Sequence, residues 1–202
     1  MSGGYNILSN GAVRTRLRAE TQVWHDRVEE LFDLPRQLRT TEDYRRVLAD
    51  LLGFHAPMEA AVGRIDWTDV PLDLARRCRT PLVERDLRAL GLSQAVIDAL
   101  PRCSRLPQPT DRAAALGCLY VLEGSTLGGQ VVRRHVQAAL GPEVAGATAF
   151  FGSHGPAVGV LWRDFLVLLE KECATEAAIR SAAAAATRSF ACLADWLSRP
   201  RS

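Results

Sequence analysis

Apolar residues in this chain recur at helical spacing, and no run of alternating β-branched residues reaches the length of a strand. That periodicity restricts the chain to an all-α fold, a compact helical bundle with short loops. Helices are expected over 11–33, 41–62, 73–90, 93–100, 110–140, 156–174 and 176–197, with residues 1–10 disordered. Pro35 with Thr40 and Thr41, Asp66 to Pro71, Gly91, Pro101 to Pro109, and Gly141–Pro142 punctuate the series. Thr41-Glu42-Asp43 and Ser93-Gln94 read as N-caps, and Gly91 and Gly141 as C-caps. The alanine run 182–186 favours helix by propensity alone. No repeat or low-complexity linker divides the chain, so a single domain over 1–202 is expected.

Composition narrows the function classes. A formal charge of +2 over 202 residues is too small an excess for a general nucleic-acid binder. Five scattered cysteines with no CxxC pair disfavour a disulfide scaffold or a zinc knuckle. Residues 144–162 carry no charge, but Gly146, Gly152, Gly155, Pro156 and Gly159 make them a poor membrane span. With no apolar signal core at the start, the expected location is the cytoplasm. Of the 25 basic residues only Lys171 is lysine, a bias that codon usage explains for most of the surface.

On the first helix Leu17, Thr21, His25, Val28 and Phe32 share one face, which places an imidazole in the middle of a largely apolar stripe. Such a histidine is a core residue satisfied by one hydrogen bond, or a metal or haem ligand, or an acid–base group. Glu29, one turn on, can fix the tautomer of His25, and Arg18, two turns back, can meet an anionic group. No HExxH, paired Glu-x-x-His or GxSxG motif offers a different centre.

The second informative stretch is 116–135, where Gly124, Gly128 and Gly129 interrupt strongly helical flanks. Each glycine costs about 1 kcal/mol against alanine inside a helix, so three together need a reason. Either a neighbouring helix packs closely there, or a bare backbone approaches a flat ligand and the helix bends. A haem held through His25 needs a distal wall of the second kind.

LRAETQVWHDRVE (17–29), YVLEGSTLGGQVVRRHV (120–136) and GATAFFGSHGPAVGVLWRDF (146–165) together resemble the bacterial biliverdin-producing haem oxygenases, most closely the type that accompanies bacteriophytochromes. The blocks lie in family order and the similarity runs over most of the chain. The resemblance implies that haem is both cofactor and substrate, opened with O2 and external electrons to biliverdin, CO and ferrous iron. It implies His25 as proximal iron ligand with Glu29 as its partner, and Gly124, Gly128 and Gly129 as the distal wall. Arg18 and Arg163 are expected near the propionates, with Tyr120 beside them. Arg133 and Arg134 match a basic pair for docking an acidic electron donor (ferredoxin, flavodoxin or reductase), and a bacteriophytochrome is the implied acceptor of biliverdin. Many mammalian-type members carry Asp directly after the first distal glycine; here that position is Ser125, which has a hydroxyl but no charge. A haem carrier or sensor of the same fold, a relative acting on thiamine or quinone precursors, and a helical interaction protein are the competing expectations.

Overall fold

The computed structural model describes residues 11–34 and 38–200. The expected disorder of 1–10 and the break at Pro35 lie outside them. The described residues form nine α-helices and two short 3-10 turns, with no strand among them. They are α1 (Ala12–Leu31), α2 (Thr41–Gly63), α3 (Leu74–Arg77), α4 (Thr80–Ala89), α5 (Gln94–Ala99), α6 (Arg112–Gly124), α7 (Gly129–Leu140), α8 (Val158–Glu172) and α9 (Glu176–Ser198). The all-α expectation therefore holds.

Local chemistry accounts for most of the boundaries. Thr40, not Thr41, is the N-cap of α2: its hydroxyl accepts from the Asp43 N–H, and the Asp43 carboxylate accepts from the Thr40 N–H, a reciprocal capping box. Ser93 caps α5 as expected. Gly91 and Gly141 both take positive φ just past helix ends, at 92° and 61°. Two expected helices are each split. The segment 73–90 breaks at Cys78–Arg79, because Pro81 enters the first turn of α4 and starts a new helix there. The segment 110–140 breaks across 125–128, where the N–H groups of Thr126, Leu127 and Gly129 bond three residues back instead of four.

α9 lies at the centre, against both α1 and α6, while α8 covers α1 and α6 from the side. Gly117 explains how α6 gets so close: a Cβ there would sit 2.1 Å from the Ala182 carbonyl oxygen. Ala182, Ala183, Ala185 and Ala186 are all buried. The alanine run thus serves a close helix crossing as well as propensity. A second core joins Tyr44, Leu48 and Leu52 of α2 to Val83 and Leu87 of α4, Val136 of α7, and Phe150 and Phe151.

α2 contains Pro57, which cannot donate to the carbonyl of residue 53. That freed carbonyl accepts the Cys103 N–H at 2.9 Å and ties the extended segment 101–109 to the middle of α2. Gly53 is needed there, since a Cβ would lie 2.3 Å from the Trp196 ring and 2.8 Å from the Pro101 carbonyl oxygen.

Candidate functional site

α1, which carries His25, and α6, which ends at the glycine bend, each pack against α9. Leu17 and Thr21 of the same stripe are buried, but the His25 side chain is 47% exposed and meets the Phe190 ring of α9 edge-on at 5.7 Å. A histidine serving only the core would be enclosed and bonded. His25 Nδ1 instead lies 3.7 Å from the Glu29 carboxylate and 3.8 Å from that of Asp26, with no hydrogen bond to Nε2 among the described residues. Both carboxylates stand just beyond hydrogen-bond range. Asp26 is a residue that the helical stripe did not single out.

At the α6–α7 bend the three glycines have different surroundings. Gly129 is a packing glycine, since a Cβ would lie 2.6 Å from the Phe151 carbonyl oxygen. Gly124 lies beside the Trp162 ring, 3.8 Å from where its Cβ would be. Gly128 borders open space, and its neighbours Leu127 and Val131 are 49% and 61% exposed. Bare backbone next to uncovered apolar side chains is a surface shaped to receive a flat apolar group. At one end, Tyr120 stacks obliquely on Trp162 at 5.5 Å. Burial raises the Tyr120 phenol, and the charges of Arg14 and Arg18 pull the other way. Arg14 and Arg18 therefore both lie near the Tyr120 ring. Arg163 is exposed on α8, with no ion pair to these residues among those described.

These residues fit a haem. They offer an imidazole with a free nitrogen, an apolar wall with no side chain at Gly128, and cations at one edge.

Behind Ser125 lies a buried polar cluster that the sequence reading missed. The Arg79 guanidinium is 3% exposed and donates to the Leu122 carbonyl at 2.6 Å and the Ser125 hydroxyl at 2.7 Å, with the Phe150 ring beneath it at 4.7 Å. Burial lowers it to about 10. Arg77 donates to the Glu123 carboxylate at 2.8 Å. Glu59 accepts from Cys78, from the Arg79 and Thr80 N–H groups and from the Thr80 hydroxyl. Burial opposes its charge, yet the facing His55 ring and these donors bring the Glu59 carboxyl down to about 2. His55, 3.6 Å from Glu59, is pushed down chiefly by its own burial and next by Arg79. It is therefore neutral at pH 7. The two guanidinium and two carboxylate charges balance. Only Ser125 was visible from sequence, because the others sit on α2, α3, the α3–α4 junction and α6 with no shared spacing.

The basic pair does not present itself as a pair. Arg134 is exposed, whereas the Arg133 guanidinium packs on Gly152, and its Nε is buried without a partner.

An all-helical chain with a half-exposed histidine and a glycine-rich bend belongs to the class of single-bundle helical proteins with a candidate ligand site. The Heme oxygenase family model matches residues 12–199, and this chain belongs to the haem oxygenase family. A curated heme oxygenase of Xanthomonas campestris pv. campestris is 39% identical over 117 residues, which span 57% of this chain and 64% of the relative. The solved NO- and CO-bound heme oxygenase of Neisseria meningitidis superposes with a TM-score of 0.72 at 25% identity, over 92% of this chain and 89% of that one. No helix among the described residues is long and apolar enough to cross a membrane.

Proposed function

We propose that this chain is a single haem oxygenase-type unit over 1–202 that degrades haem to biliverdin, CO and ferrous iron, using O2 and electrons from an external donor. The observation that carries this reading is the half-exposed His25 ring, taken with the bare backbone and open space at Gly128. His25 Nε2 would hold the iron, and Glu29 and Asp26, the carboxylates nearest Nδ1, would favour a proton there and so raise the basicity of Nε2. Arg14, Arg18 and Arg163 supply cations for the propionates, whose carboxylates suit the guanidinium fork. When bound, haem supplies the iron and the oxidisable ring, and the protein supplies position and polarity.

Ser125 does less than an aspartate in its place. Its hydroxyl donates to the Leu122 carbonyl at 2.7 Å and accepts from Arg79, so one lone pair remains to accept from a water. Protons must then pass through ordered water held by Ser125 and backbone groups, with the Arg79 charge setting the field behind them. The bound-up Ser125 hydroxyl also favours the second reading, a haem carrier of the same fold. The pairing of Arg134 with an acidic donor such as a ferredoxin, flavodoxin or reductase is a surface match, and Arg133 contributes little to it. The free thiols suit a cytoplasmic protein. Delivery of biliverdin to a bacteriophytochrome rests on the sequence resemblance.

The test is haemin titration of the protein and of His25→Ala, followed by a reductant and O2. A Soret band and axial ligation unchanged in His25→Ala would overturn the ligand. Haem that binds but never gives way to a biliverdin band would establish the carrier instead.

A further inference from the structure

On the side of α9 away from His25, the segment 101–109 and the last turns of α9 enclose a cleft of about 550 Å³. Two cysteines line it. Cys103 Sγ and Cys192 Sγ stand 3.3 Å apart, close enough to share a proton and to bond after a small rotation of either side chain. The approach is held from both sides: the Cys103 N–H is fixed on the Gly53 carbonyl, and α9 is fixed by Trp196 Nε1, which donates to the Asp50 carbonyl at 2.8 Å. Around the mouth stand Arg105 and Arg188, both exposed, and Arg199, which stacks on Trp196 and pairs with Asp50. The cleft thus combines a vicinal thiol pair with two solvent-facing guanidiniums, and Asp195 is the one acid lining it.

We propose that this cleft is a thiol–disulfide exchange site, in which Cys103 and Cys192 are oxidised reversibly by low-molecular-weight disulfides that carry carboxylates. The Cys103 thiolate attacks one sulfur of the small disulfide, forming a mixed disulfide and expelling the other half as a thiolate that takes up a proton. Cys192 then loses its proton and attacks the Cys103 sulfur, expelling the second half. The sum is one small disulfide reduced to two thiols and one Cys103–Cys192 disulfide formed, with no other oxidant required. The roles follow from position. Cys103 lies on the non-helical segment 101–109 at the edge of the cleft, whereas Cys192 is embedded in α9, where burial and the hydrogen bond to Cys103 push its thiol up to about 12. Cys192 therefore keeps its proton until the first exchange brings a sulfur to be displaced. Arg105 and Arg188 attract the carboxylates of the incoming disulfide.

The experiment treats the full chain with oxidised glutathione, then traps free thiols with N-ethylmaleimide and maps the peptides by mass. The expected product joins the Cys103 and Cys192 peptides and returns to the dithiol with reduced glutathione. Cys192→Ser should stop at the glutathione adduct on Cys103. Replacing both Arg105 and Arg188 with Ala should slow the reaction with oxidised glutathione several-fold and leave the rate with uncharged hydroxyethyl disulfide unchanged. Preferential modification of Cys78, Cys118 or Cys173, or failure of the wild-type chain to form the 103–192 link, overturns the proposal. Equal slowing toward both reagents overturns the role of the arginines. The mapping of the wild-type chain decides the pairing even where a serine variant folds poorly.

Discussion

Arg79 is the residue whose removal should be felt most. Its charge stands among Glu59, Glu123 and the Ser125 hydroxyl with almost no access to water. Arg79→Met should cost about 3–5 kcal/mol in urea unfolding, because it leaves the buried Glu59 carboxylate without a counter-charge. The glycines divide in the same assay. Gly129→Ala meets the Phe151 backbone and should lose about 1–3 kcal/mol by overpacking. Gly128→Ala meets nothing and should be neutral or gain up to about 1 kcal/mol from the lower entropy of its unfolded chain, while weakening haemin binding. A Gly128→Ala variant that keeps full haemin affinity would remove that glycine from the pocket. The three glycines look alike in sequence because a missing side chain does not reveal whether protein or ligand takes its place.

At the scale of elements, the α2 capping box makes a simple prediction. Thr40→Ala should cost about 1 kcal/mol, read as a lower denaturation midpoint, and Thr41→Ala much less. Gly117→Ala should be worse than either, since the Ala182 backbone cannot retreat from a Cβ without separating α6 from α9. The legible part of the fold was what spacing and capping encode: the class, most helix positions, Ser93, Gly91 and Gly141. Two splits were not legible. Pro81 suits a first helical turn as well as it breaks a helix, so 73–90 read as continuous. Across 124–129 the flanks carry full helical periodicity, and only the hydrogen bonds show that the turn has tightened. His25 and Arg18 could be singled out because both lie on α1, and the glycines because they fall within six residues of sequence. His55, Glu59, Arg77 and Arg79 could not, because only tertiary packing brings them behind Ser125.

Taken as a whole, the molecule should weaken in acid in two stages. His55 is depressed in the fold, so below its ordinary value of 6.5 the unfolded chain takes up a proton that the folded chain refuses, and stability falls with pH. The depressed His154 acts in the same direction. Glu59 adds its part from its ordinary 4.5 down toward about 2, where the folded carboxylate is finally protonated. Glu123 and Asp86, raised mainly by burial, partly offset that second stage. Urea midpoints followed from pH 7.5 to 4 should decline from the first stage onward, and His55→Gln should flatten the upper part. An unchanged slope in that variant would mean that His55 is not held neutral.

The docking of α1 on α8 and α9 also bears on how the protein is made. The Val13 and Arg14 N–H groups donate to Glu170, and His25 rests on Phe190, contacts that span more than 150 residues of chain. During synthesis His25 emerges early, while its support is still to be translated. A growing chain stalled before residue 190 would display His25 on a helix with nothing beneath it. Under the proposed function, a defined grip on haem would wait until α9 has left the ribosome.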